Sequence, residues 1–191
     1  MGLLSLEHGK AAYRADFALY GSAVVGLAAF LVVSGPPAQR LEALAFAALG
    51  LGGWTAIEYA LHRFLLHGID PFKRWHEEHH RRPGALICIP TIFSASLIFV
   101  LAFVPAFVLV GLWNACALTL GVIAGYVLYG ATHHAVHHWR ARSPWLTRRK
   151  RWHALHHRGG ASVGGYGVTT AFWDHVFGSA GTGPRAARKG P

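Results

Sequence analysis

The chain has 191 residues, a hydrophobic fraction of 53% and a formal net charge of +10. That length suits one domain and is short for two well-packed ones, so its motifs are expected to serve a single site. Because the apolar residues gather in long runs almost free of charge, the composition excludes an ordinary soluble domain and points to a membrane.

The first run, FALYGSAVVGLAAFLVV at 17–33, is long enough to cross a hydrocarbon core roughly 30 Å thick. Lys10 and Arg14 precede it as they would a secretory signal, but no small-x-small cleavage pattern follows, and a retained helix is expected. After the tight SGPPAQR connection, 41–61 forms a second crossing. If nothing stops this helix before His67 it runs about 40 Å and overshoots the hydrocarbon by about 10 Å. Residues 86–132 carry no charge, enough for two more crossings at 91–110 and 113–132 with a break at GLWN. The expected fold is all-α: a single integral membrane domain with a bundle of four transmembrane helices, a histidine-rich helical cap from 62–85 and 133–178, and a disordered tail at 179–191.

Four crossings put both termini and the 62–85 loop on one side, together with 17 of the 18 Lys and Arg residues. The positive-inside bias makes that side cytoplasmic, and the placement accounts for the basic charge without nucleic acid. Richness in Ala, Gly and Arg suggests a bacterial inner membrane. Cys88 and Cys116 fall at or inside apolar runs and read as small core residues.

Twelve of the fourteen histidines fall in four groups: His62 and His67; His76, His79 and His80; His133, His134, His137 and His138; His153, His156 and His157. Residues at i, i+3 and i+4 share a helix face, so 76/79/80 and 153/156/157 each aim three imidazoles in one direction. The third group offers two pairs of equal spacing, 133/137 and 134/138, which one helix cannot both turn inward. His62 and His67 lie five apart, about 140° around an α-helix, and are expected to face different ions or to sit where the helix ends. A pair of divalent ions explains the whole pattern, with His8 and His175 outside it.

Neutral imidazoles around two ions leave surplus positive charge, which calls for nearby carboxylates or a bridging oxide or hydroxide. Glu58, one turn before His62, and Asp174, in FWDHVFG, are the expected acidic residues of the catalytic site, with Glu58 accepting the free ring N–H of a ligand. Glu77 and Glu78 face away from the histidine side of their helix. A hydrolytic zinc site takes three ligands and a water, and a metal carrier needs ionisable groups along its path, which 17–33 and 91–110 lack. The number of imidazoles therefore favours two irons that activate dioxygen, although zinc can occupy such a site in the isolated protein. A zinc-dependent hydrolase or a metal carrier is the alternative from another class. Trp54, Phe64, Trp75 and Trp152 are expected either to wall a lipid pocket or to form an interfacial belt.

EYALHRFLLH, HEEHHRRPG, the proline of CIP, YGATHHAVHH, WHALHH and GYGVTTAFWDHVFGS occur in that order over 58–179. Together they resemble the fatty acid hydroxylase and sterol desaturase superfamily, and most of all its fatty acid 2-hydroxylase branch. The resemblance implies a membrane di-iron oxygenase that hydroxylates a lipid, with a fatty acyl chain as first choice and a carotenoid or sterol as the alternative. It implies dioxygen as co-substrate and electrons from a separate ferredoxin or cytochrome b5-like protein, since no fused cytochrome b5 segment is read. Carried over by position, it implies ligands at His62, His67, His76, His79, His80, His133, His137, His153, His156 and His157. The distance from Tyr129 selects His133 and His137 over His134 and His138. Gly130 stands where acyl hydroxylases commonly carry aspartate, and the basic RRKRW at 148–152 offers a surface for an acidic donor.

Overall fold

The structure is a computed structural model that describes residue 7 and residues 9–87, 89–159 and 164–180. His8, Cys88 and 181–191 of the expected tail lie outside the described residues. Among those described the chain is helical, with no strand and one isolated bridge between Glu7 and Ile87. The helices are α1 (Lys10–Ser34), α2 (Arg40–Ala60), α3 (Phe72–Arg81), α4 (Thr91–Ile98), α5 (Val104–His138), α6 (Pro144–Gly159) and α7 (Phe172–Val176). Where the length suggested one domain, the contacts group into two compact units, Met1–Trp54 with Ala85–Leu128 and Thr55–Gly84 with Tyr129–Pro191.

Three helical stretches, Lys10–Ser34, Pro37–Leu66 and Thr91–His138, are long and apolar enough to cross a membrane. The first unit turns apolar side chains outward, with Val33, Leu41 and Leu109 each about four-fifths exposed. A helix that is apolar on all sides belongs in lipid, and the chain is an integral membrane protein. The 48-residue stretch does not run straight. Gly111 has φ 77° and ψ 178°, a conformation that costs a side-chain-bearing residue dearly. Just ahead of it, Pro105 has no N–H for the carbonyl four residues back, and the turn at Phe99–Phe103 winds as a π-helix.

Contacts within this unit give the direction of each helix. Near the start of α1, Asp16 accepts the Thr91 hydroxyl at 2.6 Å, and the Tyr20 and Ser94 hydroxyls lie 2.7 Å apart. Near its end, Phe30 stacks on Trp113 with ring centroids 5.2 Å apart, while Tyr20 meets Tyr126 at 4.7 Å. Residues 91–110 thus run alongside α1 and residues after Gly111 run back. Helix α2 follows that returning segment in parallel, from Asn114 donating to Glu42 at 2.9 Å to Trp54 against Tyr126 at 5.4 Å. Between these points two glycines bring the backbones together. A Cβ on Gly50 would meet the Leu118 carbonyl, and one on Gly121 would meet the Ala47 carbonyl. Small residues at such a crossing allow the close packing that holds helices together in lipid.

In the second unit, α2 continues as a π-helix through Leu61–Leu66 into His67. Helix α6 starts at Ser143-Pro144, where the Ser143 side chain accepts the Leu146 N–H at 3.2 Å and Pro144 takes a position that needs no donor. A small apolar cluster of Ala135, Val136 and Leu146 lies between the end of α5 and this first turn. Of the segment expected as a tail, Ser179 and Ala180 are described and are hydrogen-bonded. Gly165 donates to the Ser179 carbonyl at 2.9 Å, the Ser179 hydroxyl to Asp174 at 2.9 Å, and the Ala180 N–H to the Asp174 carbonyl at 3.0 Å. Hydrogen bonds to a buried acid hold these two residues in the fold.

Replacing Gly121 by leucine is expected to force the α2–α5 crossing apart and to destabilise the purified protein by about 1–3 kcal/mol. A lowered thermal midpoint in detergent, with Gly21→Leu as a control at a position whose Cβ would meet nothing within 4 Å, checks this.

Candidate metal centre

Nine imidazoles converge in two groups whose facing nitrogens lie within 4.8 Å of one another. The first comprises His62, His67, His76, His80 and His156, and the second His79, His133, His137 and His153. Four separate segments contribute: the end of α2, α3, the end of α5, and α6. His157 belongs to neither group by distance but touches both, with Nε2 3.0 Å from Nε2 of His153 and its ring stacked 4.2 Å from that of His80.

Of the two expectations for His62 and His67, different ions or a place where the helix ends, the second fits: they fall in the same group, with ring centroids 5.3 Å apart, and His67 caps the end of the helix. The backbone supplies the reason. Over Leu61–Leu66 the i→i+5 bonding of a π-helix widens the turn and brings residues five apart toward one face. His133 and His137 join His79 and His153, while His134 and His138 stack on each other at 4.5 Å outside both groups. His175 also stays apart, its Nδ1 donating to the Ala171 carbonyl at 2.7 Å and its ring stacked on Trp152.

The protonation pattern suits cations. His62 Nδ1 lies 2.5 Å from the Tyr166 carbonyl and His156 Nδ1 lies 2.9 Å from the Gly164 carbonyl. A carbonyl only accepts, so both Nδ1 atoms carry the proton and both Nε2 atoms present lone pairs. Those lone pairs face other imidazole nitrogens, His62 Nε2 being 2.9 Å from His76 Nε2 and His156 Nε2 3.1 Å from His67 Nε2. His76 Nε2 is also 3.0 Å from His80 Nε2. Hydrogen bonds satisfy such a knot only pairwise, whereas one cation satisfies every lone pair at once. In the second group, His79 has both ring nitrogens buried without a hydrogen-bond partner. Orphaned buried nitrogens of this kind are what metal ligands leave when only the protein is considered. The residues therefore fit two divalent transition ions.

Burial keeps the ring nitrogens available. It pushes His67 down to about 4, helped by His156, and His79 down to about 3, helped by His157. His157 is likewise lowered to about 4 by burial and by His156. Near neutral pH these rings are uncharged, the form that binds metal.

The two acids take a different place from the one expected. Glu58 accepts the Val168 N–H at 2.6 Å, the Thr169 N–H at 3.0 Å and the Thr169 hydroxyl, and no imidazole. Asp174, fully buried, accepts the Tyr166 N–H at 2.9 Å and the Gly167 N–H at 2.8 Å. The ring N–H groups of His62 and His156 go to carbonyls of the 164–169 loop, so the acids reach those ligands through backbone. Arg149, expected from the sequence to be part of the basic surface at 148–152, is instead buried on α6 and faces both carboxylates electrostatically. Its spacing four before His153 and seven before His156 is the clue that could have found it. Glu77 and Glu78 do point outward, Glu78 pairing with Arg81 at 2.9 Å. The four aromatics sit in separate settings: Trp54 against Tyr126, Phe64 59% exposed, Trp75 edge-on to Phe72, and Trp152 on His175.

The family profile described as fatty acid hydroxylase matches residues 47–179. The chain is 35% identical over 156 residues to the dihydroceramide fatty acyl 2-hydroxylase FAH2 of Arabidopsis thaliana, covering 74% of this chain and 62% of the relative. It is 36% identical over 157 residues to the ceramide very long chain fatty acid hydroxylase scs7 of Schizosaccharomyces pombe, covering 73% of this chain and 43% of the relative. The chain thus spans about two fifths to three fifths of the length of these relatives. A solved structure of full-length scs7p, in which only the hydroxylase domain is visible, matches with a TM-score of 0.78 at 27% identity, over 94% of this chain and 69% of that one.

Stability of the metal-free chain is expected to depend on pH with a definite sign. Histidines held near 3 to 4 in the fold and near 6.5 when unfolded take up protons first in the unfolded state. Stability should therefore be level above about pH 7, fall as pH drops through about 6.5, and stop falling near pH 3–4. Chemical denaturation of chelator-treated protein across this range checks it, and bound metal should deepen the loss by giving the protons a competitor.

Proposed function

Since the chain belongs to the fatty acid hydroxylase family, we propose that it is a membrane-bound di-iron oxygenase that hydroxylates a C–H bond of a lipid, a fatty acyl chain first. The observation that carries the reading is the convergence of nine imidazoles from four segments into two adjacent groups. His62, His67, His76, His80 and His156 hold one ion and His79, His133, His137 and His153 the other, with His157 as the tenth ligand. Two irons, when bound, supply paired electrons for the activation of dioxygen. The protein's own part is to keep imidazoles neutral, oriented and close enough to share two ions, which burial and the loop carbonyls do. The names of the matched relatives, a dihydroceramide fatty acyl and a ceramide very long chain fatty acid hydroxylase, support an acyl chain carried on a sphingolipid as substrate.

The same reading includes four crossings and a metal centre on the cytoplasmic side. The reversal at Gly111 supports the count, and the placement of 17 of 18 Lys and Arg on one side supports the orientation. A bacterial inner membrane rests on composition alone, and the relatives matched here are eukaryotic. Electrons come from a separate acidic donor, docked by exposed Arg148 and Arg151 of α6 and their basic neighbours. High salt should then slow turnover coupled to the donor.

Incubation of the purified protein with lipid extracts, a reductant system and labelled dioxygen should give a hydroxylated lipid carrying one labelled oxygen atom. Product formed without dioxygen would overturn the assignment in favour of hydrolysis. His79→Ala and His156→Ala are each expected to abolish product and to lower bound metal, whereas His138→Ala should leave both at the wild-type level. That last variant also separates the 133/137 pair from the 134/138 pair.

A further inference from the structure

We infer that the 164–169 loop is a clamp for one ion of the pair only: Asp174 and Ser179, through two peptide groups, aim the His62 and His156 rings that serve the first group, and among the described residues no such carbonyl clamp holds the second. This deepens the di-metal reading and rests on it.

A peptide group is planar and trans, so its N–H and C=O point in opposite directions. The Tyr166 carbonyl that accepts from His62 shares a peptide plane with the Gly167 N–H, which Asp174 Oδ2 holds at 2.8 Å. The Gly164 carbonyl that accepts from His156 shares a plane with the Gly165 N–H, which the Ser179 carbonyl holds at 2.9 Å. The Ser179 hydroxyl in turn donates to Asp174 Oδ1, so one buried carboxylate stands behind both carbonyls. Glu58 fixes the far side of the loop through Val168 and Thr169. Glycines make the tight path possible. Gly164 and Gly165 have φ of 74° and 78°, and a Cβ on Gly167 would collide with the Thr170 carbonyl. Each ring receives its proton position and its orientation from one rigid plane.

Both clamped rings belong to the first group. In the second, His79 has both nitrogens and His153 has Nδ1 buried without a partner. Ring-orienting partners behind metal ligands typically contribute 10–100-fold to affinity, so the two ions should differ in their dependence on Asp174.

The test is metal retention rather than turnover. The full chain in detergent is loaded with zinc, dialysed against a chelator at a fixed free-zinc level, and the bound ions are counted by mass spectrometry. Asp174→Asn sets an amide N–H against a backbone N–H and should weaken one ion roughly 10–100-fold, so that bound zinc falls by about half. Adding His137→Ala, which acts on the second group, should then remove the remainder. Loss of both ions together from Asp174→Asn, or loss of neither, would overturn the clamp while leaving the di-metal reading in place. A wild-type chain that holds one ion or none would overturn that reading and the clamp with it. Should Asp174→Asn fail to fold, Ser179→Ala is the milder probe: release of one ion should quicken and the other stay unchanged, and equal acceleration of both would refute the clamp.

Discussion

Two carbonyl oxygens, those of Tyr166 and Gly164, decide which nitrogen of His62 and His156 carries a proton, and the metal centre depends on that decision. An imidazole whose Nδ1–H is held by a carbonyl can only offer a lone pair at Nε2. Nine such rings packed together would otherwise form a disordered exchange of hydrogen bonds. The Tyr166 carbonyl is backed by the Gly167 N–H bound to fully buried Asp174, and the Gly164 carbonyl by the Gly165 N–H bound to the Ser179 carbonyl, whose own hydroxyl donates to the same carboxylate. Burial adds the second condition by keeping the rings neutral, and a neutral ring is the one that binds a cation.

Membrane and metal place opposite demands on one chain. The first unit turns apolar side chains outward and joins its helices through glycines and a few polar contacts such as Tyr20 with Ser94 and Asn114 with Glu42. The second unit holds the imidazole cluster, in which His62, His76, His79, His153 and His156 are buried, together with buried Glu58, Asp174 and Arg149. Arg149, one turn before His153 on α6, brings a positive charge to face Glu58 and Asp174, without which two buried carboxylates would be hard to sustain. A uniform α-helix cannot set residues five apart on one face. The π-helical Leu61–Leu66 does so for His62 and His67.

Much was legible beforehand from patterns with a simple physical period. Runs free of charge marked the membrane helices, i, i+3 and i+4 spacing grouped 76/79/80 and 153/156/157, and the order of the motifs marked the family. What the pattern missed has one cause in each case. An α-helix would turn His62 and His67 about 140° apart, and the π-helical backbone there is wider. Glu58 lies one turn from His62, within sequence reach of its ring N–H, yet its oxygens are taken by Val168 and Thr169 more than a hundred residues away. Small residues follow Ser179 as in a tail, yet a buried acid draws it into the fold.

The sequence by itself determined that the chain enters a membrane, that it is helical, and which residue types gather at its centre, because hydrophobic runs and helical spacing are local properties. Only the tertiary structure decided how the imidazoles divide into two groups and that the acids act through a loop. Those outcomes depend on contacts between residues distant in sequence, such as Glu58 with Val168, and on single peptide planes whose direction no local pattern encodes.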